Sequence, residues 1–150
     1  MRIIVRGVDG ATATLAEGAA RLSELFTHLL GEELNKLKWM TEDDPEMEIS
    51  LADNEMAVGE VLESLVAVLN AYADMNLPDA IVDEENYLSL PGIVMSKLRP
   101  LMESEDLAVR AMFVAQAISS SFLTALVGAI LANQFKNMTE DEQLKRLTGE

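Results

Sequence analysis

The side chains able to do chemistry in this chain are few, and they do not match one another. There is a single histidine, His28, and no cysteine among the 150 residues. A hydroxyl or thiol nucleophile needs a base beside it and a third group to orient that base. Ser/His and Cys/His catalysis are therefore not expected, and disulfides and thiolate metal sites are excluded. His28 is expected on the polar face of a helix with Arg21, Glu24 and Glu32, as a solvated residue opposite a leucine stripe. Carboxylates are more numerous. Glu60-x-x-Glu63 and Glu103-x-x-Asp106 each set two of them one helical turn apart, a spacing that can present oxygen ligands to a divalent cation. The acids between 79 and 85 lack the glycine-centred pattern of an EF-hand loop and read as a solvated acidic loop. Gly7 and Gly10 do not make a phosphate-cradling motif.

Glu60-x-x-Glu63 resembles half of the motif of the all-α nucleoside triphosphate pyrophosphohydrolases, in which carboxylates on adjacent helices hold Mg²⁺. The resemblance implies Glu103-x-x-Asp106 as the second half. The sequence departs from that family in a longer separation between the halves. It also has no Lys or Arg within 39–96 to hold the phosphates. A Mg²⁺-dependent phosphohydrolase is thus one alternative function; the leading expectation is no enzyme, no metal and no cofactor.

The formal net charge of −15 is unevenly spread. Residues 1–38 balance five acids with five bases, and 97–150 nearly balance, with seven acids and six bases. The stretch 39–96 holds fourteen acids and no base. Its field repels nucleic acid and attracts basic partners, so direct DNA or RNA binding is not expected. Glu42, Asp43 and Asp44 in one loop, and Asp83, Glu84 and Glu85 in another, are the candidate contacts for a basic protein. Trp39 stands beside the first of these loops and reads as a cap over the core, or else as a binding anchor. The nine methionines suit an adaptable interior.

The residues from 111 to 135 carry no charge at all. Twenty-five such residues can span a bilayer. Gln116, Ser119, Ser120, Ser121, Thr124 and the Ala/Gly content make insertion a weak expectation. A helix apolar on all sides belongs at the centre of a bundle. Ala117, Ser121, Ala125 and Gly128 would let a second helix approach it closely, as a subunit interface.

Those candidates are to be positioned by one domain, 1–150, of mostly α class with α+β character at the margin. With 49% apolar and 25% charged residues the chain is long enough to bury its own core. The expected architecture is a bundle of about five helices around a central apolar helix, 105–136, with a short two-stranded β element from 2–8 and 46–51. The first strand is β-branched; the second alternates, with Met47, Ile49 and Leu51 on one side and Glu46 and Glu48 placed to face Arg2 and Arg6. Thr14-x-x-Glu17 reads as a capping box opening a helix to about Lys38. A helix over about 53–75 should bury Val58, Val61, Leu62, Leu65, Leu69 and Tyr72. A short one from Ser89 should reach about Lys97, with Pro100 kinking or ending it. Ser104 should open the central helix, and Thr139-x-x-Glu142 a last one that docks through Leu144 and Leu147.

The leading expectation for function is a cytoplasmic, non-enzymatic protein–protein interaction or assembly protein, a small acidic adaptor or a subunit of a homo-oligomer. Small assembly proteins of phages and other multi-subunit machines share this general character. The second is an acidic nucleic-acid mimic that inhibits a basic protein.

Overall fold

The computed structural model describes residues 2–37, 46–51, 53–74 and 90–148. Strand β1 (Arg2–Arg6) turns at Asp9 and Gly10 into β2 (Thr12–Leu15), its antiparallel neighbour, and β3 (Glu46–Ser50) lies parallel on the other side. Gly10 takes φ of +82°, a conformation open to glycine at little cost. Alternation puts Ile3, Val5, Leu15, Met47 and Ile49 into the core. On the solvent face Arg2 meets Glu46 at 3.5 Å and Arg6 hydrogen-bonds Glu48, as the register Arg2↔Glu46 and Ile4↔Glu48 allows. The expected pair of strands therefore forms, and a third joins it.

That third strand overturns the capping box at Thr14. Thr14 lies in β2, and its carbonyl accepts from Asn70 Nδ2 at 2.9 Å. A 3₁₀ helix (Glu17–Leu22) follows, and α1 (Glu24–Leu37) begins only at Ser23, whose hydroxyl accepts from Phe26 N–H. The local signal was ambiguous: Thr12 and Thr14 favour a strand once β1 offers hydrogen bonds beside them.

Helix α2 (Gly59–Asp74) is the buried centre of the fold. Val61, Leu62, Leu65, Val68, Leu69 and Tyr72 are all enclosed, and the helix packs on β2, the 3₁₀ helix, α3 and α4. It starts later than its periodicity suggests because Asn54 turns the chain ahead of it. Asp9 then caps it from the hairpin, accepting Gly59 N–H at 2.8 Å. A Cβ on Gly59 would lie 2.8 Å from that of Ala11, so only glycine lets the helix and hairpin meet this closely.

Helix α3 (Gly92–Glu103) runs through Pro100 rather than ending near Lys97. Its last turn is held from outside: Gln134 Nε2 donates to the carbonyls of Leu101 and Met102 at 3.1 and 3.2 Å. Val94, Leu98 and Leu101 are buried on its inner face.

The expected central helix 105–136 is two helices, α4 (Glu105–Ala117) and α5 (Ser121–Lys136), packed on each other. Ser104 caps the first as expected, accepting from Leu107 N–H. The break falls at Ile118, Ser119 and Ser120, with Ser119 at φ +53°. No helix among the described residues is long and apolar enough to cross a membrane. Tyr72 and Phe122 stack with ring centroids 4.4 Å apart, joining α5 to α2. Helix α6 (Glu140–Thr148) opens at Thr139 as expected, yet Leu144 is 60% exposed, so that residue does not dock. The side chain of Leu147 lies outside the described residues.

Candidate interaction surface

Two buried serines fix where the α4–α5 hairpin stands. Ser23 and Ser120 are each 1% exposed, and each caps the N-terminus of its own helix. Each also donates its hydroxyl hydrogen to the other's loop: Ser23 to the Ile118 carbonyl, and Ser120 to the Leu22 carbonyl at 2.6 Å. The carbonyls of Ile118 and Ser119 accept from Leu25 and Glu24 N–H, taking up the first free amides of α1. Serine suits both places because one hydroxyl accepts the capping bond and donates another at once. This reciprocal clasp breaks the apolar run into a hairpin and sets its rotation.

With that rotation fixed, α4 buries Ala108, Ala111, Val114 and Ala115 and turns Val109, Phe113 and Ala117 outward, one turn apart. Phe113 is 50% exposed and Val109 38%. Beside them, α5 buries Phe122, Leu123, Leu126, Val127, Ala129 and Ile130. Its outward stripe is Ser121, Ala125, Gly128 and Ala132, with Ser121 exposed and the other three half-buried. A Cβ on Gly128 would sit 3.4 Å from Met112 Cε, so the two helices are close there. Near the turn, Glu24, Gln116, Ser119, Ser121 and Thr124 line an open hollow of about 430 Å³.

Of the four small residues named from sequence, Ala117 and Ser121 are exposed, while Ala125 is half-buried against the core and Gly128 half-buried against Met112 of α4. Ala117 ends α4, and Ser121, Ala125 and Gly128 belong to α5. The residues missed were Val109 and Phe113. In a run that is apolar all round, spacing carries no phase, so nothing local marks which apolar side chains stay outside. Trp39, Glu42, Asp43, Asp44, Asp83, Glu84 and Glu85 lie outside the described residues.

The other candidates do not assemble. Glu60 and Glu63 are exposed on α2, Asp106 pairs with Arg110 at 3.1 Å, and His28 stands exposed 3.2 Å from Glu32. Among the described residues no three His, Cys, Asp or Glu side chains are grouped so as to hold a metal ion. A shallow groove of about 600 Å³ lies between the 3₁₀ helix, α2 and α3, with Gly18, Ala67, Ala71, Asp74, Ile93 and Lys97 on its walls. Asn70 at its floor is committed to the backbone, accepting from Ala16 N–H at 2.8 Å and donating to Thr14. The perturbed titrations are structural too. Hydrogen bonds from Gly59 and Ala11 N–H hold the Asp9 carboxyl below its ordinary range. The hydrogen bond and charge of Arg6 hold Glu48 down, and Glu48 in turn raises Arg6.

No protein-family model matches the chain, and no curated protein matches it. The functional reading therefore rests on the surface described above.

Proposed function

We propose that this chain is a non-enzymatic, cytoplasmic interaction or assembly subunit that binds other protein through the outward face of the α4–α5 hairpin. Phe113 carries the reading: a half-exposed aromatic on the outward side of α4, one turn beyond the Asp106–Arg110 pair. Scattered exposed apolar residues are ordinary, but Val109, Phe113 and Ala117 are contiguous, and the small residues of α5 extend them sideways. Two neighbouring helices roughly 20 Å long and about 10 Å wide present a footprint on the order of 400 Å². With Gln116, Ser121 and Thr124 inside it, the apolar part is no larger than the largest patch of an ordinary monomer, which is often functional.

The experiment is light scattering after size exclusion, at low and high salt, on the wild type and on Ala125→Arg. The expected wild type is a discrete, salt-resistant oligomer, and the variant should dissociate while keeping its helical circular dichroism. An oligomer unchanged by Ala125→Arg would remove this face from the interface.

A second reading is favoured by the exposed carboxylates Asp53, Glu55, Glu60 and Glu63, which have no Lys or Arg near them in sequence. In that reading the acidic side occupies the nucleic-acid-binding cleft of a basic protein. A clean monomer whose capture of basic proteins collapses as salt rises would support it.

A further inference from the structure

We propose that the α4–α5 turn is a strained, latched hinge, and that two copies of the chain exchange α5 by straightening it into one helix over 105–136. The exchange uses the inner, buried face of α5. It does not rest on the outward face that carries the proposed function.

The argument starts at Ser119. Its φ is +53°, and among the described residues no other side-chain-bearing position has a positive φ. A Cβ makes the left-handed conformation costly, and such strain persists only where the surroundings impose it. Here the clasp imposes it. The Ile118 carbonyl accepts from the Ser23 hydroxyl and Leu25 N–H, the Ser119 carbonyl from Glu24 N–H, and the Leu22 carbonyl from the Ser120 hydroxyl. The turn's own residues do not call for a break. Ile118, Ser119 and Ser120 include neither glycine nor proline, and the uncharged run passes straight through them. Once the clasp opens, these residues can continue the helix, with their carbonyls accepting from amides four positions on. The strain at Ser119 is then released.

The structure already shows what the inner face of α5 binds. Phe122, Leu123, Leu126 and Ile130 are buried, Phe122 lies on Tyr72, and the helix packs on α4 and α3. Straightening the hinge pulls these side chains out of their own core, and water is a poor replacement for it. The seat vacated in a second copy is identical, so each contact is remade there and only the hinge differs, which is the basis of domain swapping. Two straightened helices, antiparallel and with their turns at the two-fold axis, close the pair. The dimer therefore needs no large new contact area. The charge of −15 on each copy opposes it, and Glu24 borders the turn, so exchange should rise with protein concentration and with salt.

Ser119→Gly and Ser119→Ala push the hinge in opposite directions and leave the clasp in place, since its bonds use backbone and the other two serines. Glycine accepts a positive φ and weakens a continuous helix, whereas alanine keeps the strain and favours the helix. Each protein is refolded from urea at low and high concentration, and dimer is separated from monomer by size exclusion. Relative to wild type, Ser119→Gly should lower the dimer association constant about fivefold per hinge, about 25-fold for two. Ser119→Ala should raise it about fourfold. Exchange itself is read by a cross-link. Gly128 faces Met112 between α4 and α5, a Cβ on it lying 3.4 Å from Met112 Cε. Met112→Cys chains and Gly128→Cys chains are mixed in urea, refolded together and treated with a short bis-maleimide; the chain has no native cysteine to interfere. The two chains should link, and link far less when refolded separately and then mixed.

A dimer without the mixed link would overturn the exchange and place self-association on another surface. Equal dimer fractions in Ser119→Gly and Ser119→Ala would overturn the strained hinge. Monomer alone from both wild type and Ser119→Ala, at the highest concentration and salt, would overturn the proposal outright. The proposed function would still be decided by Ala125→Arg, which leaves the hinge untouched.

Discussion

Ser120→Ala tests the step from which the interaction surface follows. The hydroxyl sits at 1% exposure, accepts from Leu123 N–H at 3.2 Å and donates to the Leu22 carbonyl at 2.6 Å. Removing an N-cap serine costs about 1 kcal/mol. Leaving the Leu22 carbonyl without that donor in a buried setting adds about 1–3 kcal/mol. The sum is about 2–4 kcal/mol, a large share of the roughly 5–15 kcal/mol that holds a domain folded. With a urea m-value of about 2 kcal/mol/M, the midpoint should fall by about 1–2 M at unchanged slope. Equilibrium urea unfolding followed by circular dichroism reads this directly, at one fixed protein concentration because self-association would add stability. Ser121→Ala, at the exposed next position, should stay within about 0.5 kcal/mol of wild type. Ser120→Thr keeps the hydroxyl and should recover part of the loss. The double variant with Ser23→Ala should cost less than the two singles added, since each serine holds the loop that the other needs. A Ser120→Ala midpoint no lower than that of Ser121→Ala would refute the clasp as the element that orients the hairpin.

Gly59→Ala and Gly31→Ala should move thermal stability in opposite directions. The first drives a Cβ to 2.8 Å from Ala11 Cβ and should cost about 1–3 kcal/mol; the second meets open space inside α1 and should gain up to about 1 kcal/mol. Asp9 accepts backbone N–H bonds only in the folded state, and its carboxyl is lowered from 3.8. Its contribution is therefore present above pH 3.8 and lost as pH falls through the lower folded value, so Asp9→Asn should flatten the acid limb of a stability–pH curve. Salt should raise the melting temperature of the wild type, because screening relieves the repulsion of 26 acids against 11 bases. A fall in melting temperature between low and moderate NaCl would mean that ion pairs outweigh that repulsion.

The features that were legible in the sequence are those settled within a few residues. The alternation over 46–51 placed Met47 and Ile49 inward and Glu46 and Glu48 across from Arg2 and Arg6, because a pleated strand leaves no other arrangement of those side chains. Ser104 and Thr139 cap the helices they precede. The α2 stripe, broken by polar positions, declares its phase: Val61, Leu62, Leu65, Leu69 and Tyr72 face the core as expected, while Val58 precedes the helix and is half-buried. Thr14-x-x-Glu17 failed because a threonine before an alanine-rich stretch fits a cap and an edge strand alike, and β1 decided between them. Pro100 does not end α3, because Gln134 from another helix secures its last turn and no residue near Pro100 in the sequence signals that support.

By itself the sequence determined the class of the protein, the sheet's Arg–Glu pairing, the caps of α4 and α6 and, with no cysteine in it, the absence of a thiol nucleophile. Only the tertiary structure decided that 105–136 is a hairpin, that α2 rather than this run is the centre, and that Phe113 points outward. The reason is one of range. Strand alternation and caps are fixed by neighbours along the chain, whereas the break at 118–120 depends on Ser23 and Leu22, 95 and 98 residues from their partners. A uniformly apolar segment holds no local record of which side will be buried; the amides and hydroxyls it meets on folding supply that choice.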